Sequence, residues 1–340
     1  MQKAVHFVRE ERKPLLVCAK TVLIGHHTSG VRREFYRDKA DLAKHSAKDP
    51  GIILKKYLLE EGFSEETLSQ IETEARKQIE EDFNKAILAP DPKPESVKEH
   101  VYAPTPITEE KGNRVPENGE KIPMVDAGIH AIQELMHKHP EALLYGQDVG
   151  GRIGGVFREV VTLQQKFGNK RVFNTAIQEA YIIGSTVGMS AVGLKPIVEV
   201  QFADYIYPGI NQLVTEVSKS CYLSNGKYPV SNIIRVPIGA YGGGGPYHSG
   251  SVETMLAQIK GIKIAYPSNA ADFKGLFKAA FYDPNPVIFL EHKGLYWSKV
   301  PGTEDAKTVE PAEDYILPFG KANIVKFANE EEVQKGRTLV

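Results

Sequence analysis

Cysteine is nearly absent. Only Cys18 and Cys221 occur in 340 residues, too few and too far apart for a disulfide framework or a four-ligand zinc site, and such scarcity fits a reducing compartment. Excess charge is also missing. With 42 Lys+Arg against 43 Asp+Glu the formal net charge is −1, which argues against a protein that coats phosphate backbones, so no nucleic-acid partner is expected. Apolar runs stay far below the roughly 18–20 residues that a membrane helix needs. The N-terminus MQKAVHFVREERKPLLV lacks a leader's order of charges, apolar stretch and cleavage site. No membrane association is expected, and the location is expected to be cytoplasmic. The sequence also has no H-E-x-x-H, no G-x-S-x-G, no phosphate-binding G-x-x-x-x-G-K-[ST] and no dinucleotide G-x-G-x-x-G at a strand–helix junction.

What is present is ordinary globular material, 41% hydrophobic and 25% charged, of a length that suggests about two domains. The chain divides by composition into residues 1–88, a linker over 89–123, a block over 124–318 and a tail over 319–340. In the first block Leu15–Ile24 reads as a strand by its β-branched content and runs into the loop GHHTSGVRREFYR. A helix starts at Asp49-Pro50 and stops at Gly62. Another starts at Ser64, and Leu68, Ile71, Ala75, Ile79, Phe83 and Ile87 recur on one face that should pack. The linker carries seven prolines and no period, so it should be extended, crossing a surface or spanning two domains.

The block over 124–318 alternates helix and strand. The expected helices are 124–138, 157–167, 179–192, 208–222, 251–258 and 270–281. The expected strands are 142–146, 171–175, 196–202, 230–237, 262–266 and 286–291. Strands such as PIVEVQF and PVIFLE are nearly continuously apolar, the mark of a mostly parallel, doubly wound α/β sheet covered on both faces. Ligands of such sheets bind at the carboxyl ends of the strands. The tail reads as two short strands around a charged hairpin and stops inside the second, which suggests truncation.

Several residues at those strand ends could carry chemistry. Glu179 opens the helix after strand RVFNT, near the positive end of its dipole. It could exchange a proton with a bound ring nitrogen, or simply cap the helix. Gln201, Asp204 and Tyr205 follow PIVEVQF, where an amide and a phenol suit a planar heterocycle. Core packing and helix capping are the alternatives. His248 lies in the loop GAYGGGGPYHSGSVE and suits proton transfer near neutral pH, unless the loop is only a flexible surface turn. Adjacent His26 and His27 point in different directions and make poor joint metal ligands. With Arg32, Arg33 and Arg37 they form a basic loop able to meet phosphate or carboxylate, or a solvated one.

In family order, GQDV…GGVF, FGNKRVFNTAIQE, EVQFADYIYP, YHSGSVE, GIKIAYPSNAADFKGL and NPVIFLEHKGLY resemble the pyrimidine-binding domain of the β subunit of the thiamine-diphosphate-dependent E1 component of 2-oxo acid dehydrogenase complexes. The resemblance is nearest to the branched-chain, 2-oxoisovalerate type. IGHHTS, YR and the Asp-Pro helix of residues 13–88 resemble the C-terminal end of its α subunit. An α-like end followed by a β-like start implies a fused α–β polypeptide, with 319–340 opening a truncated transketolase-like C-terminal domain.

The resemblance carries implications residue by residue. Glu179 is implied as the carboxylate on the aminopyrimidine that promotes removal of the thiazolium C2 proton. Ile177, Gln201 and Tyr205 are implied to line the cofactor pocket, and His248 and His27 to act at the reacting carbon and the pocket mouth. Asp283 and Asn285 match a monovalent-cation site, K+ by type. The family's Gly-Asp-Gly…Asn for Mg2+ and diphosphate is absent, so those ligands are expected from a diphosphate-binding domain of the same or a partner polypeptide. Leu23 stands where the family has Arg, Gly30-Val31-Arg32 replaces an acidic pair, and Ala176 replaces Pro.

The implied activity is oxidative decarboxylation of branched-chain 2-oxo acids, as in 3-methyl-2-oxobutanoate dehydrogenase (2-methylpropanoyl-transferring). The acyl group passes to the lipoyl group of an E2 acyltransferase. The enzyme is expected to be a homo-oligomer and to be inactive as this partial chain alone. The alternatives are a non-catalytic remnant serving assembly or dimerisation, and another thiamine enzyme such as pyruvate dehydrogenase E1 or a transketolase.

Overall fold

The computed structural model describes residues 1–26, 28–241, 245–321 and 329–336. The chain divides into two compact units, Met1–Pro92 and Lys93–Val340.

The first unit is helical: α1 (Gln2–Glu11), α2 (Lys39–Ser46), α3 (Pro50–Glu60) and α4 (Glu65–Leu88). The caps are the ones the sequence suggests. The Asp49 side chain accepts from the Gly51 amide with Pro50 in the first helical position, and Ser64 accepts from the Thr67 amide, each satisfying an orphan donor of a first turn. The strand expected over Leu15–Ile24 does not form; the segment has no regular structure and Leu16 is fully exposed. A strand satisfies its backbone only against a neighbour, and the described residues of this unit contain no second strand. On α4 only Leu68 is buried, while Ile71, Ile79, Phe83 and Ile87 remain exposed. The apolar stripe is therefore real, but beyond Leu68 the described residues leave it exposed.

The second unit is the expected parallel α/β structure. Its elements run β1 (Lys121–Ile122), α5 (Met124–Lys138), β2 (Ala142–Gly146), α6 (Leu163–Phe167), β3 (Val172–Asn174), α7 (Glu179–Ala191) and β4 (Lys195–Glu199). Then come α8 (Ile210–Gln212), α9 (Ser220–Leu223), β5 (Ile233–Ile238), α10 (Glu253–Ala257), β6 (Lys263–Ala265), α11 (Ala270–Tyr282), β7 (Val287–His292), β8 (Thr308–Val309) and α12 (Glu330–Gln334). Six strands form one sheet in the order β3-β2-β4-β5-β7-β6, every pair parallel. One face packs on α5 and α11 through Met124, Leu135, Phe273 and Phe277. The other packs through Ile182, Ile183, Leu213 and Val217, from α7 and the segment after α8. Covered on both sides, β5 is buried along its whole length.

Three expected elements differ. The helix over 157–167 is only α6, because residues before it fold back in a glycine-bearing loop. A Cβ on Gly154 would stand 2.3 Å from the Val161 Cα, so this close approach requires glycine. The helix over 208–222 is broken into α8, a π turn over Leu213–Val217 and α9. Here Thr215 and Ser218 hydroxyls bond back to the carbonyls of Asn211 and Val214, competing with the helical ladder. In the tail, α12 with its Asn329 cap occupies the expected hairpin; residues 322–328 and 337–340 lie outside the described residues.

The proline-rich segment from Lys93 to Pro123 crosses the surface of this unit and is stitched to it. Asn285 accepts from the Ala103 amide and donates to its carbonyl. Lys111 bridges Ile316, and β1 pairs antiparallel with β8.

Candidate functional site

Successive connections leave the sheet to one side after β2 and to the other after β4, so the topological switch point lies between these neighbours. In open α/β sheets a crevice opens outside the carboxyl ends there. Gln147 and Asp148 follow β2, Gln201 follows β4, and α7 begins beside them.

Glu179 is the first residue of α7 and only 8% exposed. Its Oε1 accepts from Gln147 Nε2 at 2.8 Å, a charge-assisted bond that fixes the carboxylate rotamer. Gln201, also buried, donates from Nε2 to Asp148 Oδ2 at 2.9 Å and to the Gln147 carbonyl at 3.4 Å. Gln147 thus links the two candidates, to Glu179 by its side chain and to Gln201 by its backbone. Ile177, just upstream, is 84% exposed on the entry to α7.

A second cluster follows directly in the chain. The Tyr205 hydroxyl and Nε2 of His248 share a 2.8 Å hydrogen bond. The Phe202 ring stands edge-on to both, with centroids 5.5 Å from Tyr205 and 4.6 Å from His248. Asp204 accepts from the Gly250 amide at 2.9 Å. Sequence reasoning assigns no role to Lys293, which is 1% exposed, yet its ammonium donates to the His248 carbonyl and faces the Phe202 and Phe157 rings.

Beneath the crevice lies a buried ionic network that sequence reasoning also missed. Arg235 on β5 donates to Glu291 Oε1 and Oε2 on β7 at 2.7 and 2.8 Å, and to Glu199 Oε2 on β4 at 2.8 Å. Tyr296 donates to Glu291 Oε2 at 2.6 Å. Among the described residues both oxygens of buried Glu159 and Oε1 of Glu199 lack a hydrogen-bond partner. Burial pushes the Glu159 and Glu199 carboxyls above the usual range, Glu199 most strongly, and Arg235 opposes this. Burial works against the Arg235 guanidinium, but Glu291 and Glu199 more than offset it. The signal was legible: β5 carries one charge, Arg235, among apolar residues, β4 ends in Glu199, and the two are register partners.

The remaining candidates lie elsewhere. Asp283 and Asn285 are buried, but their side-chain oxygens are engaged. Lys263 donates to Asp283 Oδ2 at 2.6 Å, Asn285 donates to Oδ1, and the Ala103 amide donates to Asn285 Oδ1. His26, in the first unit, accepts from the Arg33 amide. His27 lies outside the described residues. Among the described residues no group of three or more His, Cys, Asp and Glu is placed to hold a metal ion, and no helix is long and apolar enough to cross a membrane.

The donor set at the switch point fits an aminopyrimidine. Glu179, buried and held on one oxygen by the Gln147 amide, shares that edge with the Gln201 amide, so a ring carrying an amine and ring nitrogens would meet both donors and acceptors there.

The sequence model of the family described as "Transketolase, pyrimidine binding domain" matches residues 120–298, and that of "Dehydrogenase E1 component" matches residues 1–95. The chain is 41% identical over 200 residues to the 2-oxoisovalerate dehydrogenase subunit beta of Bacillus subtilis (strain 168), covering 59% of each. It is 41% identical over 205 residues to the pyruvate dehydrogenase E1 component subunit beta of Acholeplasma laidlawii, covering 60% of each. It is 42% identical over 208 residues to the mitochondrial 2-oxoisovalerate dehydrogenase subunit beta of Dictyostelium discoideum, covering 61% of this chain and 54% of that protein. The chain spans about three fifths of the length of the curated relatives it matches.

Proposed function

Because this chain belongs to the transketolase pyrimidine binding domain family, we propose that its second unit forms the pyrimidine-side wall of a thiamine diphosphate cleft. The enzyme would be an E1 component that oxidatively decarboxylates branched-chain 2-oxo acids and passes the acyl group to a lipoyl group on an E2 acyltransferase. Thiamine diphosphate, when bound, supplies an acidic carbon–hydrogen bond and an electron sink for the 2-oxo carbon. The observation that carries this reading is Glu179, buried at the first turn of α7 with one oxygen held by Gln147. The hydrogen bond leaves the carboxylate oriented to hold a proton at a ring nitrogen. Gln201, Tyr205 and exposed Ile177 line the same edge, and His248, bonded to Tyr205, would move a proton near the incoming lipoyl group.

The Mg2+ and diphosphate contacts would come from a diphosphate-binding domain of the same or a partner polypeptide, with the first unit as the α-like end that precedes the second unit in a fused chain. A monovalent cation near Asp283 and Asn285 would take backbone oxygens, because the side-chain oxygens are engaged. Exposed Tyr181, Val192 and Tyr207 along α7 and the following segment support a homo-oligomer, in which a second copy covers them.

Relatives of both the branched-chain and the pyruvate type share 41% identity with the chain, so pyruvate is the rival substrate. The test is a decarboxylation assay of the holoenzyme with pyruvate and the three branched 2-oxo acids, for wild type and Glu179→Gln. The branched acids should give the highest kcat/KM, and the variant should lose turnover while keeping its fold. Pyruvate preference would replace the substrate assignment, and unchanged turnover in the variant would sink the mechanism.

A further inference from the structure

His248 stands on the connection from β5 to α10. Its described part is a 3-10 turn over Gly245–Tyr247 and the bends after it. Such a glycine-bearing loop does not by itself hold a side chain in one place. Two groups outside the loop hold it, one at the histidine and one two residues further on.

Lys293 follows β7 and is 1% exposed. Its ammonium donates to the His248 carbonyl and faces Phe202 and Phe157, with Nζ 4.9 and 5.6 Å from the ring centroids. A lysine so buried is unusual unless its charge is used. Burial lowers its pKa and the nearby Asp204 acts to raise it. Two residues further on, Asp204 accepts from the Gly250 amide. A Cβ on Gly250 would stand 2.6 Å from Asp204 Oδ1, so the carboxylate lies directly against the backbone. The Gly239 amide closes the base of the loop on the Gly250 carbonyl at 3.1 Å.

We propose that Lys293 and Asp204 are positioning residues that clamp the backbone at His248 and just after it, and so set the imidazole on the Tyr205 hydroxyl. The inference rests on the proposed role of His248 in the E1 reaction, and neither residue touches the reacting atoms by this argument. Lys293 acts through a carbonyl and Asp204 through an amide, so the two anchors differ in chemistry and can be removed separately.

The experiment reads the clamp without the reaction. In 15N-histidine-labelled protein the His248 signal is assigned by its loss in His248→Gln, and its unclamped position is fixed by Tyr205→Phe. In Lys293→Met and in Asp204→Ala the His248 Nε2 resonance should move toward its position in Tyr205→Phe. Amide exchange over 245–250 should quicken by about ten-fold or more, as when a local anchor is lost. Lys293→Arg and Asp204→Asn, which keep a donor and an acceptor, should restore both. In the holoenzyme the Met and Ala variants should lose lipoyl acylation about ten-fold with little change in KM for the 2-oxo acid, an interaction used after substrate binding. A wild-type His248 resonance and wild-type exchange in both Met and Ala variants would overturn the clamp. A displaced resonance with undiminished acylation would leave the clamp standing and remove His248 from the proposed chemistry.

Discussion

Gln147 holds Glu179: the amide at the end of β2 donates to the carboxylate at the start of α7 across 2.8 Å. The bond couples the strand edge to the helix that carries the proposed proton-handling group. Hydrogen bonds to charged groups contribute about 1.5–3 kcal/mol. Gln147→Ala should therefore lower holoenzyme turnover by roughly ten- to a hundred-fold while KM changes less. Steady-state kinetics checks this, and a pure KM effect would assign Gln147 to ground-state binding instead.

The Glu159–Glu199 pair should make stability depend on pH in an unusual direction. Both carboxyls are raised above their ordinary value, chiefly by burial. Such groups contribute most to stability below the unfolded glutamate pKa of about 4.3, and the contribution is lost as pH rises toward the folded value. Thermal melts should fall with pH above that point, and Glu159→Gln should flatten the fall. The direct check is a protonated-carboxyl stretch in the infrared spectrum that persists above the ordinary glutamate range and is lost in Glu199→Gln.

Arg235 is the only cation hydrogen-bonded into that network among the described residues. Arg235→Met should cost about 3–5 kcal/mol, because it strands buried carboxylates. Chemical denaturation measures this. A loss below about 1 kcal/mol would mean that the acids neutralise themselves fully.

Glu310 behaves oppositely. Burial pushes its carboxyl up, but hydrogen bonds from His130 and Lys274 outweigh this and bring it down to about 2. Its contribution is present above the ordinary glutamate pKa and is lost as pH falls through that low value. Glu310→Gln should destabilise the protein at neutral pH by roughly 1–3 kcal/mol and converge with wild type in strong acid. Parallel urea titrations at the two pH values test it.

Gly146 ends β2 where a Cβ would stand 2.7 Å from the Glu199 carbonyl. Gly146→Ala should force β2 and β4 apart at the switch point, at a cost of about 1–3 kcal/mol. Thermal melting of the variant reads the cost.

The sheet was legible because parallel strands buried on both faces read as apolar runs of strand length, and the helices between them keep their own period. Leu15–Ile24 has the same composition but no neighbour, and pairing is not written in a single segment. Gln201, Tyr205 and His248 were legible from their place after strands. Gln147 and Lys293 were not, because GQDVGG and EHKGLY read as ordinary polar turns; only their approach to Glu179 and to the His248 carbonyl gives them a role. Arg235, Glu199 and Glu291 left a trace, a charge within or at the end of an apolar strand, whose meaning needs the register of three strands at once.

The stitching of Lys93–Pro123 onto Asn285, Ile316 and β8 sets an order of events in biosynthesis. The sheet's strands lie between the two halves of this seam in sequence, so the early half waits for partners synthesised nearly two hundred residues later. At about 5–20 residues per second, the segment spends roughly ten seconds or more as an open, proline-rich thread on the ribosome. Closure of so long a loop is slow and comes late, so folding of this unit finishes at its beginning.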